Sequence, residues 1–296
     1  MNRDATQPLR PRALARLRDL VTLTKPRVTV LVAATALAGV VIEPRIGAAG
    51  WLAVLATTLL VGAANALNCW VERDVDGLMA RTRSRPLPSG RLEPALALAW
   101  GVAISFIALA ALFAVGSALD LALGAASLVL YVGVYTPLKR VTPLALYVGA
   151  IPGAMPPVLA RVAVTGELDA WAVMLFAIVY VWQVPHFLAI AIARRDEYAQ
   201  AGLLAVPVVH GDDVAALHAR VSVVLLTLAS AAPLARAQGG LVYGLGATLA
   251  AALMLLAAHR RARSKSPQAW AKGLFVASLA YLPLVLGALA LDRTLR

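Results

Sequence analysis

From Trp51 to Leu67 the chain carries no charged residue, and runs of this kind recur along its length with short polar breaks between them. Coiled as a helix, a run of roughly 17 to 25 apolar residues matches the hydrocarbon core of a bilayer. Inside lipid every backbone N–H and C=O must be paired within the protein, so only helices and closed barrels can span it. The two-residue alternation of barrel strands is absent. The expected fold class is therefore all-α, a multi-pass membrane bundle around a central chamber. Nine spans are expected, over residues 28–44, 50–70, 94–115, 118–135, 143–163, 168–192, 214–235, 240–258 and 272–291.

The formal net charge is +12, with 27 Lys and Arg against 15 Asp and Glu. In a soluble protein this would suggest nucleic acid as a partner. Here the bases flank apolar spans and do not interleave with aromatic residues, so the lipid bilayer is the expected partner and nucleic acid is not. The N-terminal bases through Arg27, the loop with Arg73, Arg81, Arg83, Arg85 and Arg91, the pairs Lys139–Arg140 and Arg194–Arg195, and the run from Arg260 to Lys272 share one side. That side is cytoplasmic by the positive-inside rule, and a bacterial inner membrane is the expected location. Arg45, Arg161 and Arg236 are isolated on the other side, where an odd number of spans also leaves Arg296.

Residues 1–27 show no apolar core for a removable signal peptide. They are expected to form a basic cytoplasmic segment whose Leu14, Leu17, Leu20 and Val21 suit a short interfacial helix. Residues 28–291 form the nine-helix domain and 292–296 a short tail on the far side. Cys69 is the only cysteine, which leaves oxygen or nitrogen as the ligands for any metal.

Few acids are present, and three stand together in NCWVERDVDG, residues 68–77. Asn68, Glu72 and Asp76 follow an i, i+4, i+8 spacing, which lays them along one face of a helix. One amide oxygen and two carboxylates are hard ligands suited to Mg²⁺, an ion that takes its other ligands from water and phosphate. Asp74 lies off this stripe and joins it only if the helix unwinds. The plainer alternative is a solvated loop in which these acids pair with Arg73, Arg81 or Arg83. Against it stands Asn68, a polar side chain placed within the span.

RTRSRPLPSGRLEP follows at once, and Arg81 and Arg85 could hold the phosphates of an anion whose metal the acids bind. YTPLKR brings Tyr135, Thr136 and Lys139 to another cytoplasmic span end. ARRDEYAQAG, residues 193–202, repeats the theme after the sixth span, with Asp196 the better candidate for a second metal and Tyr198 beside it. Within that span, WQVPHFLAIA places Gln183 and His186 on adjacent turns, a polar pair expected to face the bundle interior. A secondary transporter is the rival of another class, though it would set its charges near the midplane rather than at one face.

These motifs resemble those of the UbiA-type intramembrane prenyltransferases. LTKPRVTVLV, YTPLKRVTP, GAMPPVLARVAVTGELD, WQVPHFLAIAI and RRDEYAQAGLLAVPVVHG look like the protoheme IX farnesyltransferase branch, and the likeness runs from about Leu23 to Gly211. The resemblance implies Mg²⁺ as cofactor, farnesyl diphosphate and heme b as substrates, and heme O as product. Heme A synthase or oxidase assembly proteins would be further partners. It makes Asn68, Glu72, Asp76 and Asp196 the catalytic group, with Asp74 a further metal ligand. Arg81, Arg85, Lys139, Tyr135, Gln183, His186 and Tyr198 would contact substrate. Glu72 stands where the family usually has aspartate, and the second motif is reduced to Asp196 and Glu197. An aromatic-acid or chlorophyllide acceptor is the nearer alternative.

Overall fold

The computed structural model describes residues 9–43, 46–260 and 266–295. Arg3, Arg45, Arg261, Arg263, Lys265 and Arg296, used in the charge argument, lie outside the described residues, as do the side chains of Arg10 and Arg12.

The regular structure among the described residues is all helical, in the order α1 (Leu9–Leu23), α2 (Pro26–Val40), α3 (Ala48–Val71), α4 (Arg73–Leu78), α5 (Pro94–Val115) and α6 (Ala118–Val129). A π-helical turn, Leu130–Tyr135, joins α6 to the short α7 (Thr136–Leu138). Then come α8 (Ala145–Thr165), α9 (Ala170–Ala193), α10 (Arg195–Gln200), α11 (Val206–His210), α12 (Asp212–Ala235), α13 (Leu241–His259) and α14 (Pro267–Thr294). Eight helical segments are long and apolar enough to cross a membrane, and a ninth crossing exists if α1 and α2, bent by 47° at their junction, act as one.

The first span differs from expectation. It was placed over 28–44, but α2 stops at Val40 and has 15 residues. At 1.5 Å per residue it is about 22 Å long, short of a full crossing. Helix α1, bent by 47° from α2, keeps Leu14, Leu17 and Val21 exposed along one face. The C-terminal boundary moves as well, because α14 runs through the expected tail as far as Thr294. Its Asp292 is buried and accepts from the backbone N–H groups of Gly240, Val242 and Tyr243 at 2.8, 3.2 and 3.2 Å. Those N–H groups begin α13 and have no partner inside that helix, so the end of the chain is pinned by satisfying them.

The largest apolar cluster links α9, α12, α13 and α14 through Leu175, Ile178, Leu226, Met254, Leu274 and Tyr281. Helices α2, α3, α5 and α8 pack in smaller clusters around Leu60, Leu112 and Leu159 and around Ala36 and Ala160. A Cβ at Gly39 would strike the Pro157 carbonyl oxygen, so glycine is what lets α2 lie directly on α8. Phe106, Ile107, Val129, Leu228 and Leu256 point outward, as they should in a bilayer.

At the end of the bundle remote from α4 and α10, Arg161 is buried and is neutralised by Glu43 at 2.5 Å and Asp169 at 2.6 Å. Burial works to raise the Asp169 carboxyl, but hydrogen bonds from Arg161 and the Ala172 amide hold it below the usual carboxylate range.

Candidate active site

The two acid-bearing loops lie at the same end of the bundle and touch. Val75 and Met79 of the first loop pack with Ala201, Tyr198 and Leu203 of the second. The backbone N–H of Leu204 donates to the Lys139 carbonyl at 2.8 Å, which stitches the second loop to the end of the fourth span.

Helix α3 ends at Val71, and Glu72 leaves helical geometry at φ −89°, ψ 6° before α4 begins. Backbone bonds from the Glu72 N–H to the Asn68 carbonyl at 2.9 Å and from the Asp76 N–H to the Glu72 carbonyl at 2.8 Å carry the i, i+4 spacing across this bend. Asn68 and Glu72 do meet, Nδ2 donating to Oε2 at 2.9 Å, but Asp76 lies beyond the break and faces Arg85, with Oδ2 to Nη1 at 2.6 Å. Asp76 is only 2% exposed. Its main-chain oxygen also receives the Thr82 hydroxyl at 2.7 Å, so the arginine loop is folded back onto the acid that precedes it.

Asn68 is 1% exposed and spends its amide fully. Oδ1 accepts from Lys25 Nζ at 2.8 Å, while Nδ2 also reaches Thr136 Oγ1 at 3.1 Å. Glu72 takes Lys139 Nζ on its other oxygen at 2.7 Å. Burial pushes the Glu72 carboxyl up, but Lys139, Lys25 and Asn68 outweigh it and hold the group below the usual carboxylate range. Burial works against the Lys139 ammonium, and the Tyr135 ring oxygen and Glu72 overcome it, so its pKa is raised. The same ammonium sits 4.4 Å from the centre of the Tyr135 ring, which tilts against Tyr131 at 5.3 Å. Both tyrosines lie in the π-helical turn, whose altered pitch sets where Tyr135, Thr136 and Lys139 arrive.

Lys25 is the functional side chain that sequence reasoning passed over. It had been counted as a topology signal, yet it bridges the α1–α2 junction to Asn68 across more than forty residues. Its backbone is left-handed at φ 50°, ψ 62°, directly before Pro26. A residue before proline favours extended geometry, and a non-glycine residue here costs of order 1–3 kcal/mol. The legible signal was a base abutting the proline that opens the first span.

Several expected residues fall elsewhere. Asp74 is 82% exposed and stands near Arg73 at 3.9 Å, so the structure gives it no place beside Glu72 and Asp76. Asp196 is exposed too, and with Arg194, Arg195, Glu197 and Gln268 it borders a separate hollow of about 330 Å³. Arg194 pairs with Glu197 at 3.1 Å and Arg195 with Asp212 at 3.7 Å, leaving Asp196 without an ion-pair partner among the described residues. Tyr198 is the member of this loop that turns toward the first. Burial raises its hydroxyl pKa, and Arg81 and Lys139 are close enough to oppose that rise. Arg81 is exposed and makes no ion pair among the described residues. No group of three or more His, Cys, Asp or Glu stands ready to hold a metal among the described residues.

In the sixth span, Gln183 is not available in the way expected. Its amide N–H groups go to the carbonyls of Ala150 at 3.0 Å and Val179 at 3.2 Å, and its oxygen lies where a Cβ on Gly153 would stand. It clamps α9 to α8. His186 faces α14, with Nδ1 at 2.8 Å from Ser278 Oγ.

The mouth of the bundle thus sets the buried Asp76, the half-buried Glu72 and an amide against Lys25, Lys139 and Arg85. Such a place can bind an anion by its bases and a cation by its oxygens. Comparison with known proteins gives this arrangement a setting. A protoheme IX farnesyltransferase of Anaeromyxobacter sp. (strain Fw109-5) is 42% identical over 297 residues, covering 97% of each chain. The one from Myxococcus xanthus (strain DK1622) is 43% identical over 280 residues, 94% of this chain and 95% of the relative. Among solved structures, that of digeranylgeranylglyceryl phosphate synthase superposes with a TM-score of 0.79 at 15% identity, over 95% of this chain and 99% of the other. A UbiA homologue from Archaeoglobus fulgidus bound to GPP and Mg²⁺ gives 0.64 at 16%, over 92% and 99%. The sequence profile described as the UbiA prenyltransferase family matches residues 28–279, and the chain belongs to that family.

Proposed function

We propose that this protein transfers the farnesyl group of farnesyl diphosphate to a vinyl group of heme b, with addition of water, to give heme O and diphosphate. The relatives named protoheme IX farnesyltransferase, similar over nearly the whole chain, support the acceptor and donor. The single structural observation that carries the reading is the mouth itself, where Asn68, Glu72 and Asp76 are met by Lys25, Lys139 and Arg85.

Mg²⁺ fits this donor set. The ligands on offer are hard oxygens, and two carboxylates with an amide suffice for an ion that completes its shell from water and substrate phosphates. The ion pairs of Glu72 with Lys139 and of Asp76 with Arg85 support ionised carboxylates at both positions. When bound, the metal would neutralise the charge that grows on the leaving diphosphate. The chain's own part is to hold and orient. Asn68, Glu72 and Asp76 form the oxygen side, with Asp196 reaching in from the second loop if that loop closes. The exposed Asp74 is retained at most as an outer contributor.

Lys25, Lys139, Arg85 and Arg81 take the phosphate oxygens, and Tyr198 adds a protonated hydroxyl donor. As the allylic C–O bond breaks, the bases stabilise the departing oxygens. The Tyr135 ring already accepts a cation on its face, and an apolar chamber keeps water from the farnesyl cation until the vinyl carbon has attacked. Carbon–carbon bond formation leaves a cation beside the porphyrin, and water adds there as hydroxyl with loss of a proton. Gln183 contributes by fixing α9 against α8 rather than by touching substrate.

The mouth is cytoplasmic on this reading, in a bacterial inner membrane, with the far end of α14 on the periplasmic face. Residues 28–291 are the catalytic domain and the N-terminal segment is its interfacial support. Membranes carrying the protein should convert heme b and farnesyl diphosphate to heme O only when magnesium is supplied. Prenylation of an aromatic acid with none of heme b would refute the acceptor assignment.

A further inference from the structure

We infer that His186 is the axial ligand that holds the iron of the porphyrin acceptor, through Nε2. The inference rests on the heme reading above and deepens it.

The argument begins with the proton count at Ser278. A hydroxyl has one hydrogen, and that of Ser278 points at the Phe275 carbonyl oxygen at 2.6 Å, a group that can only accept. The Ser278 oxygen therefore accepts in its 2.8 Å contact with His186 Nδ1, which places the imidazole proton on Nδ1. The lone pair is left on Nε2, which has no hydrogen bond among the described residues. Metal-bound histidines share this arrangement, in which one ring nitrogen donates to an oxygen and the other is free for the metal. Ser278 is itself completely buried and further fixed because Trp182 Nε1 donates to its carbonyl oxygen at 2.8 Å.

Three aromatic rings fix the plane of the imidazole that carries this lone pair. Trp182 stacks on His186 with ring centres 4.7 Å apart, Phe275 lies at 5.0 Å and Phe187 meets it edge-on at 5.4 Å. The imidazole is half-buried, so Nε2 is not sealed within the helix pair. A mere clamp between α9 and α14 would need Nδ1 alone. It gives no use to the lone pair on Nε2, which iron ligation would take up. His186 precedes the end of α9 at Ala193 by two turns, about 10 Å along the axis. Iron would then sit below the acid loops while the diphosphate stays at the mouth. Coordination takes the existing lone pair and releases no proton.

The test is a titration of the purified full-length protein with ferric heme b, without farnesyl diphosphate, followed by the Soret band and by electron paramagnetic resonance. Wild type should show histidine-ligated heme. His186→Ala should lose that signature, bind heme on the order of tenfold or more weakly, and recover ligation with added imidazole. Ser278→Ala should keep the ligand with a shifted spectrum, and Ser278→Thr should restore it. Magnesium-dependent binding of labelled farnesyl diphosphate serves as the folding control and should survive His186→Ala. An unchanged histidine signature in His186→Ala would overturn this assignment and leave the prenyl-transfer reading standing. Loss of donor binding together with the heme signature would mark His186 as structural. A wild-type protein that binds no heme would remove both inferences.

Discussion

Helices α3 and α9 each run 24 residues, break at a single residue, Glu72 or Arg194, and continue as a six-residue helix with two acids in its first turn. The partners of those acids differ. Around the first short helix, Lys139 reaches Glu72 and Lys25 reaches Asn68 from far along the chain, Arg85 folds back onto Asp76, and the exposed Asp74 has only its neighbour Arg73. In the second, Arg194 pairs with its i+3 neighbour Glu197, Arg195 with the start of α12, and Asp196 with nothing described. Local surface pairs are worth roughly 0–1 kcal/mol, whereas removing one member of a buried pair costs about 3–5 kcal/mol. Glu72 and Asp76 are therefore fixed by buried or half-buried ion pairs, whereas Glu197 has a more exposed local pair and Asp196 none among the described residues. Equal motifs do not make equal sites.

The largest effect that separates them is expected from paired substitutions. Asp76→Asn should lower farnesyl transfer by about 10²–10³ or more while the protein still inserts and purifies, because a buried charge at the reacting phosphate is lost. It should also lower thermal stability, since Arg85 loses its counter-ion. Asp196→Asn should leave the melting temperature unchanged and raise the magnesium concentration needed for half-maximal rate. Magnesium titrations of both variants in one membrane preparation make the comparison. Equal stability losses, or an Asp196 variant with a wild-type magnesium curve, would break the proposed division between the loops.

A smaller effect is expected at Tyr198, the side chain by which the second loop meets the first. Burial keeps its hydroxyl protonated at neutral pH, so it can donate to a phosphate but cannot act as a base there. Tyr198→Phe should raise KM for farnesyl diphosphate by on the order of tenfold and leave kcat nearly unchanged, as expected when one neutral hydrogen bond of about 1 kcal/mol is lost. A fall in kcat with KM unchanged would assign the hydroxyl to the transition state instead.

How far the sequence carried these conclusions follows from the range of the interactions. Eight of the nine spans were legible with shifts at their ends because lipid imposes a composition on every residue that crosses it, while the first is met only if α1 and α2 act together. Asn68, Glu72 and Lys139 were legible as polar groups at span ends. Three things were not. The bend at Glu72 leaves no mark on the hydrophobic pattern, and the groups that hold Asn68 and Glu72 come from residues 25, 136 and 139, remote in the chain. The left-handed backbone of Lys25 has no composition signal, and before a proline it runs against local preference. Gln183 shares its span with His186 and the two look alike in sequence, yet Gly153 on another helix decides that the amide turns inward to α8.

The smallest expected effect sharpens the same comparison through pH. Glu72 has a folded pKa below its ordinary value of 4.5, so its contribution to stability is complete above that pH and is lost as pH falls through the lower folded value. Lys139 has a folded pKa above its ordinary 10.5, so its contribution is complete below that pH and fades as pH rises through the folded value. Between these limits the pair adds a flat plateau, and the acid side alone is accessible to a membrane protein in mild detergent. Asp169, held low by Arg161 at the opposite end, shares the acid limb. Glu72→Gln should therefore reduce the fall in melting temperature between pH 5 and pH 3.5 without abolishing it, at roughly 2–4 °C per kcal/mol of lost stability. Asp196→Asn, which removes no contact, should leave the curve superimposable on that of wild type. If the two variants flatten the curve equally, the second loop is tied into the fold as firmly as the first, and the asymmetry drawn from their partners is wrong.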